Sequence, residues 1–130
     1  MVVDNLSLEI NARLILTGGV IRPQELSMIG NMSERAYHEF HVDKAFIGIG
    51  GISLEDGLTE YNIEDARIKR ILFSSAREKI VVADGSKFGV TTFASVAPLE
   101  CVDRIVTDPT VPLEIIEKLR TLGVEIIVAT

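Results

Sequence analysis

Five short apolar runs, rich in Ile and Val, recur along the chain and leave room for helices between most of them. The runs are nearly continuous rather than alternating, which is typical of strands buried on both faces of a parallel sheet. Strands that alternate with helices form βαβ units. The predicted strands cover residues 14–16, 45–47, 80–83, 104–106 and 125–128. We therefore predict an α/β fold with a mostly parallel sheet flanked by helices.

Three segments between these runs carry apolar residues at helical spacing. Asn31 can cap a helix that runs to residue 40, and Asn62 begins a longer one that reaches residue 75. Pro112 suits the first turn of a third helix, and Gly123 is a natural C-terminal stop. Helices therefore connect most of the predicted strands, but one connection, over residues 84–103, has little periodicity.

Length and charge narrow the classes of protein. At 130 residues we expect a single domain over residues 1–130. The formal net charge of −6 argues against broad nucleic-acid binding, which needs a basic face. One cysteine excludes an intrachain disulfide and fits a reducing cytoplasm, and the apolar runs are too short for a membrane span. We therefore expect a cytoplasmic protein without a membrane partner.

Glycines and small polar residues follow the predicted strands. Ligands of open α/β sheets bind beyond the carboxyl ends of the strands, where glycines expose N–H groups to an anion. Any one such residue is more often part of a tight turn, but several strand ends of the same character favour a site for a phosphorylated molecule. The candidates at these ends are Gly18, Gly19, Gly48, Gly50, Asp84, Ser86 and Lys87.

Other sites are less well supported. His38 and His41 are three residues apart, but zinc needs three or four ligands, so we predict neither a metal nor a cofactor. Lys69 lies in the middle of a predicted helix, where a lysine is usually solvated, although it could reach over the sheet edge toward the crevice.

In this order and spacing, the motifs of the chain resemble the effector-sensing domain of DeoR-type bacterial transcriptional regulators. The resemblance implies a fold like that of sugar-phosphate isomerases and binding of a phosphorylated sugar or sugar metabolite. It also implies a ligand site that includes Gly18, Gly19, Lys69, Asp84 and Lys87, with Asn62 and Glu64 close by. The matching stretches are residues 14–19 with 21–23, then 42–48, 57–59, 62–70, 82–89 and 105–108.

The resemblance covers only the sensor half of such a regulator, since no helix-turn-helix is recognised. The early strand and phosphate loop of the family lie upstream of the matching residues, so we expect a domain truncated at its N-terminus. DNA binding is then expected only through a missing N-terminal winged-helix domain. A sheet without its early strand leaves an unpaired edge, which predicts a homo-oligomer.

The resemblance favours a regulatory binding module, the sensing domain of a repressor of sugar metabolism, over an enzyme. Many family members carry an acidic residue at the position of Gly50, which supports catalysis in the related isomerases. The alternative is a small sugar-phosphate isomerase or deaminase in which Asp84 is the base and Lys87 the electrostatic stabiliser.

Overall fold

The computed structural model describes residue 11 and residues 13–130. Two short 3-10 turns, Gly85–Lys87 and Leu99–Cys101, lie before and after the strand Ala94–Ala97. The helices are α1 (Asn31–His38), α2 (Ile63–Ser75) and α3 (Leu113–Thr121). The strands are β1 (Val20–Ile21), β2 (Met28–Ile29), β3 (Lys44–Gly48), β4 (Gly51–Ser53), β5 (Gly57–Glu60), β6 (Glu78–Val82), β7 (Ala94–Ala97), β8 (Arg104–Thr107) and β9 (Glu125–Val128).

The main sheet contains four strands in the order β3-β6-β8-β9, and all of its pairings are parallel. Four of the five predicted apolar runs form these strands, so the predicted α/β fold with a mostly parallel sheet is confirmed. Alternate side chains of the strands face opposite sides of the sheet. On one side Ile47, Val81 and Ile105 are buried; on the other side Ile80 is buried, but its neighbour Phe46 is 68% exposed.

The buried side of the parallel sheet packs against α2, α3 and a second sheet. The larger core cluster joins Val81 and Ile105 of the parallel sheet to Leu119 of α3 and Leu58 of β5. A smaller cluster joins Ala45 and Ile47 of β3 to Ala76, just after α2. Apolar burial therefore ties both sheets and these two helices together.

The second sheet, with strand order β4-β5-β7, is antiparallel and was not predicted from the sequence. Its central strand β5 is buried at all four positions. Gly57 begins this strand with φ +73°, and a Cβ there would lie 2.6 Å from the carbonyl oxygen of Ala97. A glycine is needed at this position because of both the backbone conformation and the close approach of β7.

The prediction of a first parallel strand over residues 14–16 is wrong. This segment is not a strand, and Leu14, Ile15 and Leu16 are all exposed. An apolar run becomes a strand only when a neighbour accepts its hydrogen bonds. Instead, a groove of about 480 Å³ is lined by Ile15 and Leu16 together with Phe46 and Ile47 of β3.

The three predicted helices are confirmed, with small changes at their ends. Asn62 caps α2, because its Oδ1 accepts hydrogen bonds from the N–H groups of Glu64 at 2.8 Å and Asp65 at 3.0 Å. Asn31 is the first residue of α1 rather than its cap, which is Gly30, and α1 ends at His38. Among the described residues, no helix is long and apolar enough to cross a membrane.

Candidate functional site

A cleft of about 650 Å³ opens at the carboxyl ends of β3 and β6. Ligands of open α/β sheets bind at this kind of position. The end of β5, the first turns of α2 and the segment between β1 and β2 complete its walls. The lining residues are Arg22, Glu25, Ser27, Gly48, Ile49, Gly50, Glu60, Tyr61, Asp65, Lys69, Val82, Ala83, Asp84 and Lys87.

Five of the predicted site residues come together in this cleft: Gly48, Gly50, Lys69, Asp84 and Lys87. Gly48 ends β3, and Asp84 follows the neighbouring strand β6. Lys69 extends from α2 into the crevice. The structure therefore agrees with the interpretation that this lysine reaches over the sheet edge, and not with a fully solvated position.

The other five predicted residues lie outside the lining of the cleft. Gly18 and Gly19 do not follow a strand, since residues 13–17 are not one, and the Gly18 carbonyl accepts a hydrogen bond from the Ser33 hydroxyl. Asn62 and Glu64 lie at the start of α2, where the Asn62 side chain is occupied as the helix cap. Ser86 bonds to Asp84 within the turn after β6.

The turn after β6 holds Asp84 and Lys87 in place. Hydrogen bonds from the Ser86 hydroxyl and N–H group, aided by the Lys87 charge, lower the pKa of Asp84. Asp108, beyond the end of β8, accepts a hydrogen bond from the Gly85 N–H group at 3.1 Å. The hydroxyl and N–H groups of Thr110 are the main cause of the lowered pKa of Asp108, and the Gly85 N–H group adds to it. Two ionised carboxylates therefore fix this turn at neutral pH.

Two ion pairs lie among the residues that line the cleft. Lys69 pairs with Glu60 at the end of β5, and Arg22 pairs with Asp65 on α2. Glu60 is only 7% exposed, and its Oε1 also accepts a hydrogen bond from the Tyr61 N–H group at 2.9 Å. Buried charges in proteins need such partners. The pairs link α2 to β5 and to the segment after β1.

Lys87 differs from the other two cleft cations. It is half-buried and, among the described residues, forms no ion pair with a carboxylate. The Lys87 charge acts on the neighbouring Asp84, but an oxygen of that carboxylate accepts its hydrogen bonds from Ser86. Of the described cations that line the cleft, Lys87 is therefore the one available to an incoming anion.

Four charged lining residues were missed by the sequence reasoning: Arg22, Glu25, Glu60 and Asp65. Asp65 had a usable signal, because it lies four residues before Lys69 on the same helix face. Glu60 had none, because its strand β5 was not predicted. Arg22 and Glu25 lie in an irregular segment whose position depends on tertiary contacts.

Gly50 leaves no room for a larger side chain. A Cβ at this position would lie 2.8 Å from Glu60 Oε1 and 3.0 Å from the Tyr61 ring. An acidic residue here would displace Glu60 or place a second carboxylate beside it. Glu60 therefore places a carboxylate directly beside position 50.

Comparisons with known proteins agree with this architecture. The family model of the DeoR C terminal sensor domain matches residues 1–109. A transcriptional repressor assigned to the aga operon of Escherichia coli O157:H7 is 35% identical over 88% of the chain and 42% of its own length. The HTH-type transcriptional repressor GlcR of Bacillus subtilis is 34% identical over 96% of the chain and 48% of its own length. The glycerol-3-phosphate regulon repressor of Escherichia coli K12 is 29% identical over 91% of the chain and 47% of its own length.

These relatives are transcriptional regulators, and the chain spans less than half the length of each. The family match covers most of the parallel sheet, the antiparallel sheet and every described residue of the cleft. The chain therefore belongs to the DeoR C-terminal sensor domain family.

Proposed function

We propose that the cleft binds a phosphorylated sugar or sugar metabolite and that Lys87 is its main phosphate contact. On this proposal the chain is the effector-sensing part of a cytoplasmic repressor of sugar metabolism. The observation that carries the proposal is the pairing of the cleft cations: Arg22 and Lys69 form ion pairs with carboxylates, whereas Lys87 forms none with the carboxylates that the structure describes. A phosphate therefore gains most by binding beside Lys87.

The rest of the cleft suits the hydroxyl groups of a sugar. Glu60, Asp65 and Asp84 supply acceptor oxygens, and Gly48 and Gly50 let a ligand approach the backbone closely. One relative is named for a glycerol-3-phosphate regulon. A phosphorylated polyol of that kind has the anion and the hydroxyl donors that these residues can bind.

A ligand in this position would contact β5, α2 and the turn after β6 at once. Binding would therefore favour the conformation in which these elements are closest. DNA contacts would be made by an N-terminal domain, and the bound conformation would change how two such domains are held. Self-association, which was predicted from the sequence, remains a prediction that light scattering of the purified protein can check.

The experiment is calorimetric titration of the protein with a panel of hexose, pentose and glycerol phosphates and their unphosphorylated forms. We expect only the phosphorylated forms to bind, and Lys87→Ala to weaken binding by about ten- to a hundredfold, the value of a charge-assisted hydrogen bond. Lys69→Ala should weaken binding less, because Lys69 is already neutralised by Glu60.

Lys44→Ala is the matched control, since Lys44 is exposed at the amino end of β3, the end opposite the cleft. It should leave the affinity unchanged. Equal binding of free and phosphorylated sugars, or a Lys87→Ala variant that is folded and binds normally, would contradict the proposal.

The alternative of an isomerase or deaminase would use Asp84 as its base. Its lowered pKa makes Asp84 a weak base at neutral pH. We therefore expect no turnover of ribose or amino-sugar phosphates in a coupled assay. Turnover that disappears in Asp84→Asn would show that the protein is an enzyme.

A further inference from the structure

We infer that Glu60 makes the cleft selective for ligands that carry a single anionic group. These ligands are monophosphates of neutral sugars or polyols, as opposed to bisphosphates and phosphorylated sugar acids. The inference rests on the proposed function, because it assumes that a phosphate binds beside Lys87.

The balance of charge in the cleft is the first argument. Among the described lining residues there are three cations, Arg22, Lys69 and Lys87, and four carboxylates, Glu25, Glu60, Asp65 and Asp84. One phosphate can pair with Lys87. A second anionic group would have to approach Lys69 or Arg22, each of which is already paired with a carboxylate. Such a group is repelled by the carboxylate at short range.

The environment of Glu60 is the second argument. Its side chain is 10% exposed and that of Lys69 is 20% exposed, so water screens the pair weakly. One carboxylate oxygen accepts a hydrogen bond from the Tyr61 N–H group and the other accepts one from the Lys69 ammonium. These bonds fix the carboxylate at the cleft wall. A ligand hydroxyl can still donate a hydrogen bond to it, whereas a carboxylate or second phosphate cannot.

Gly50 gives the ligand access to Glu60. A Cβ at position 50 would lie only 2.8 Å from Glu60 Oε1, so the glycine leaves space for a ligand atom beside that oxygen on the side of β3. The non-phosphorylated end of the ligand is therefore expected to lie against Glu60, with the phosphate against Lys87. This orientation makes Glu60 the residue that distinguishes a neutral end from an acidic one.

The first experiment compares matched pairs of probes on the wild-type protein by calorimetric titration. The pairs are glycerol 3-phosphate with 3-phosphoglycerate, glucose 6-phosphate with 6-phosphogluconate, and fructose 6-phosphate with fructose 1,6-bisphosphate. If either member of a pair binds, we expect the member with one anionic group to bind at least about tenfold more tightly than the other. This is the usual effect of a single hydrogen bond to a charged group.

The second experiment changes Glu60. Glu60→Gln removes the carboxylate and frees Lys69 for a second anion, so the preference should fall by about tenfold or be reversed. Glu117→Gln is the matched control, because it makes the same chemical and net-charge change on the exposed side of α3. The Glu117→Gln variant should prefer the single-anion probes as strongly as the wild type does. Glu60→Asp, which retains the charge, should retain the preference and provides the comparison if Glu60→Gln does not fold.

The outcomes separate the two proposals. If the wild type binds no phosphorylated probe, the proposed function fails and the inference fails with it. If it binds both members of a pair equally, the inference alone is overturned. A preference that survives Glu60→Gln in a folded protein would show that Glu60 is not the selecting residue.

Discussion

The parallel and antiparallel sheets share one hydrophobic core but contribute different parts of the cleft. The parallel sheet supplies backbone and turn: Gly48 ends β3, and the turn that carries Asp84 and Lys87 follows β6. The antiparallel sheet supplies a fixed charge, because Glu60 is the last residue of β5. The first sheet therefore determines where the cleft lies, and the second places the Glu60 carboxylate, with its partner Lys69, in the wall of the cleft.

The position of Glu60 on a buried strand also links ligand recognition to the stability of the fold. Leu58, two residues before Glu60, is fully buried in the same cluster as Ile105 of the parallel sheet. Glu60 is therefore placed by core packing and not by a mobile loop. Because β5 is the central strand of its sheet, a change that loosens it should disturb both the fold and the cleft.

The largest expected effect comes from truncating the side chain that both sheets share in the core. Leu58→Ala should lower the free energy of unfolding by about 2–5 kcal/mol, because it leaves a cavity between the sheets. Urea denaturation followed by circular dichroism measures this change. Leu113→Ala, at a site that is 65% exposed on α3, is the control and should change stability by no more than about 0.5 kcal/mol. Equal effects of the two substitutions would show that the antiparallel sheet is peripheral to the core.

The packing of β5 against β7 is tested by the difference in stability between two glycine variants, and this difference is expected to be smaller than the effect of Leu58→Ala. Gly57 and Gly89 both have left-handed backbone, with φ +73° and +74°. A Cβ at Gly57 meets Ala97 at 2.6 Å, whereas a Cβ at Gly89 meets nothing within 4 Å. Gly89→Ala should cost about 1–2 kcal/mol of backbone strain, and Gly57→Ala about 1–3 kcal/mol more because of overpacking.

Thermal and urea unfolding of the two glycine variants measure the difference between them. If both lose the same stability, β7 does not approach β5 as closely as the distance to Ala97 indicates. The shared φ of the two sites removes backbone strain from the comparison and leaves the close approach as the variable.

The same two sheets show how far the sequence could predict the fold and site. The parallel strands were predictable because their apolar runs are continuous, and Asp84 and Lys87 follow one of them directly. The antiparallel strands β4, β5 and β7 could not be predicted, because they are only three or four residues long and contain Gly, Ser and Thr without a distinctive apolar pattern. Glu60 was therefore missed. Residues 14–16 have the apolar pattern of a strand, but the run has no strand partner among the described residues. The predicted first strand is therefore wrong although its pattern is clear.

The smallest expected effect concerns acid stability of the turn after β6. The pKa values of Asp84 and Asp108 lie below the ordinary value of 3.8, so the unfolded chain binds more protons than the native chain at low pH. Their contribution is complete above pH 3.8 and is lost as pH falls through the lower native pKa values.

Urea midpoints measured from about pH 6 to about pH 3 report this loss. Asp108→Asn should reduce the acid sensitivity, because it removes one of the two ionised carboxylates of the turn. Glu117→Gln should have the same acid sensitivity as the wild type. An Asp108→Asn profile identical to that of the wild type would mean that hydrogen bonds to Asp108 do not favour its ionised form.

The central claim is that the cleft at the carboxyl ends of β3 and β6 is the ligand site. Amide chemical shifts recorded during titration with the tightest-binding sugar phosphate test it most directly. The account predicts saturable shifts at Gly50, Tyr61 and Lys87, with little change at the separate cavity of about 310 Å³ lined by Leu54 and Glu100. Shifts that cluster around Leu54 and Glu100 while Gly50, Tyr61 and Lys87 remain unchanged would contradict it.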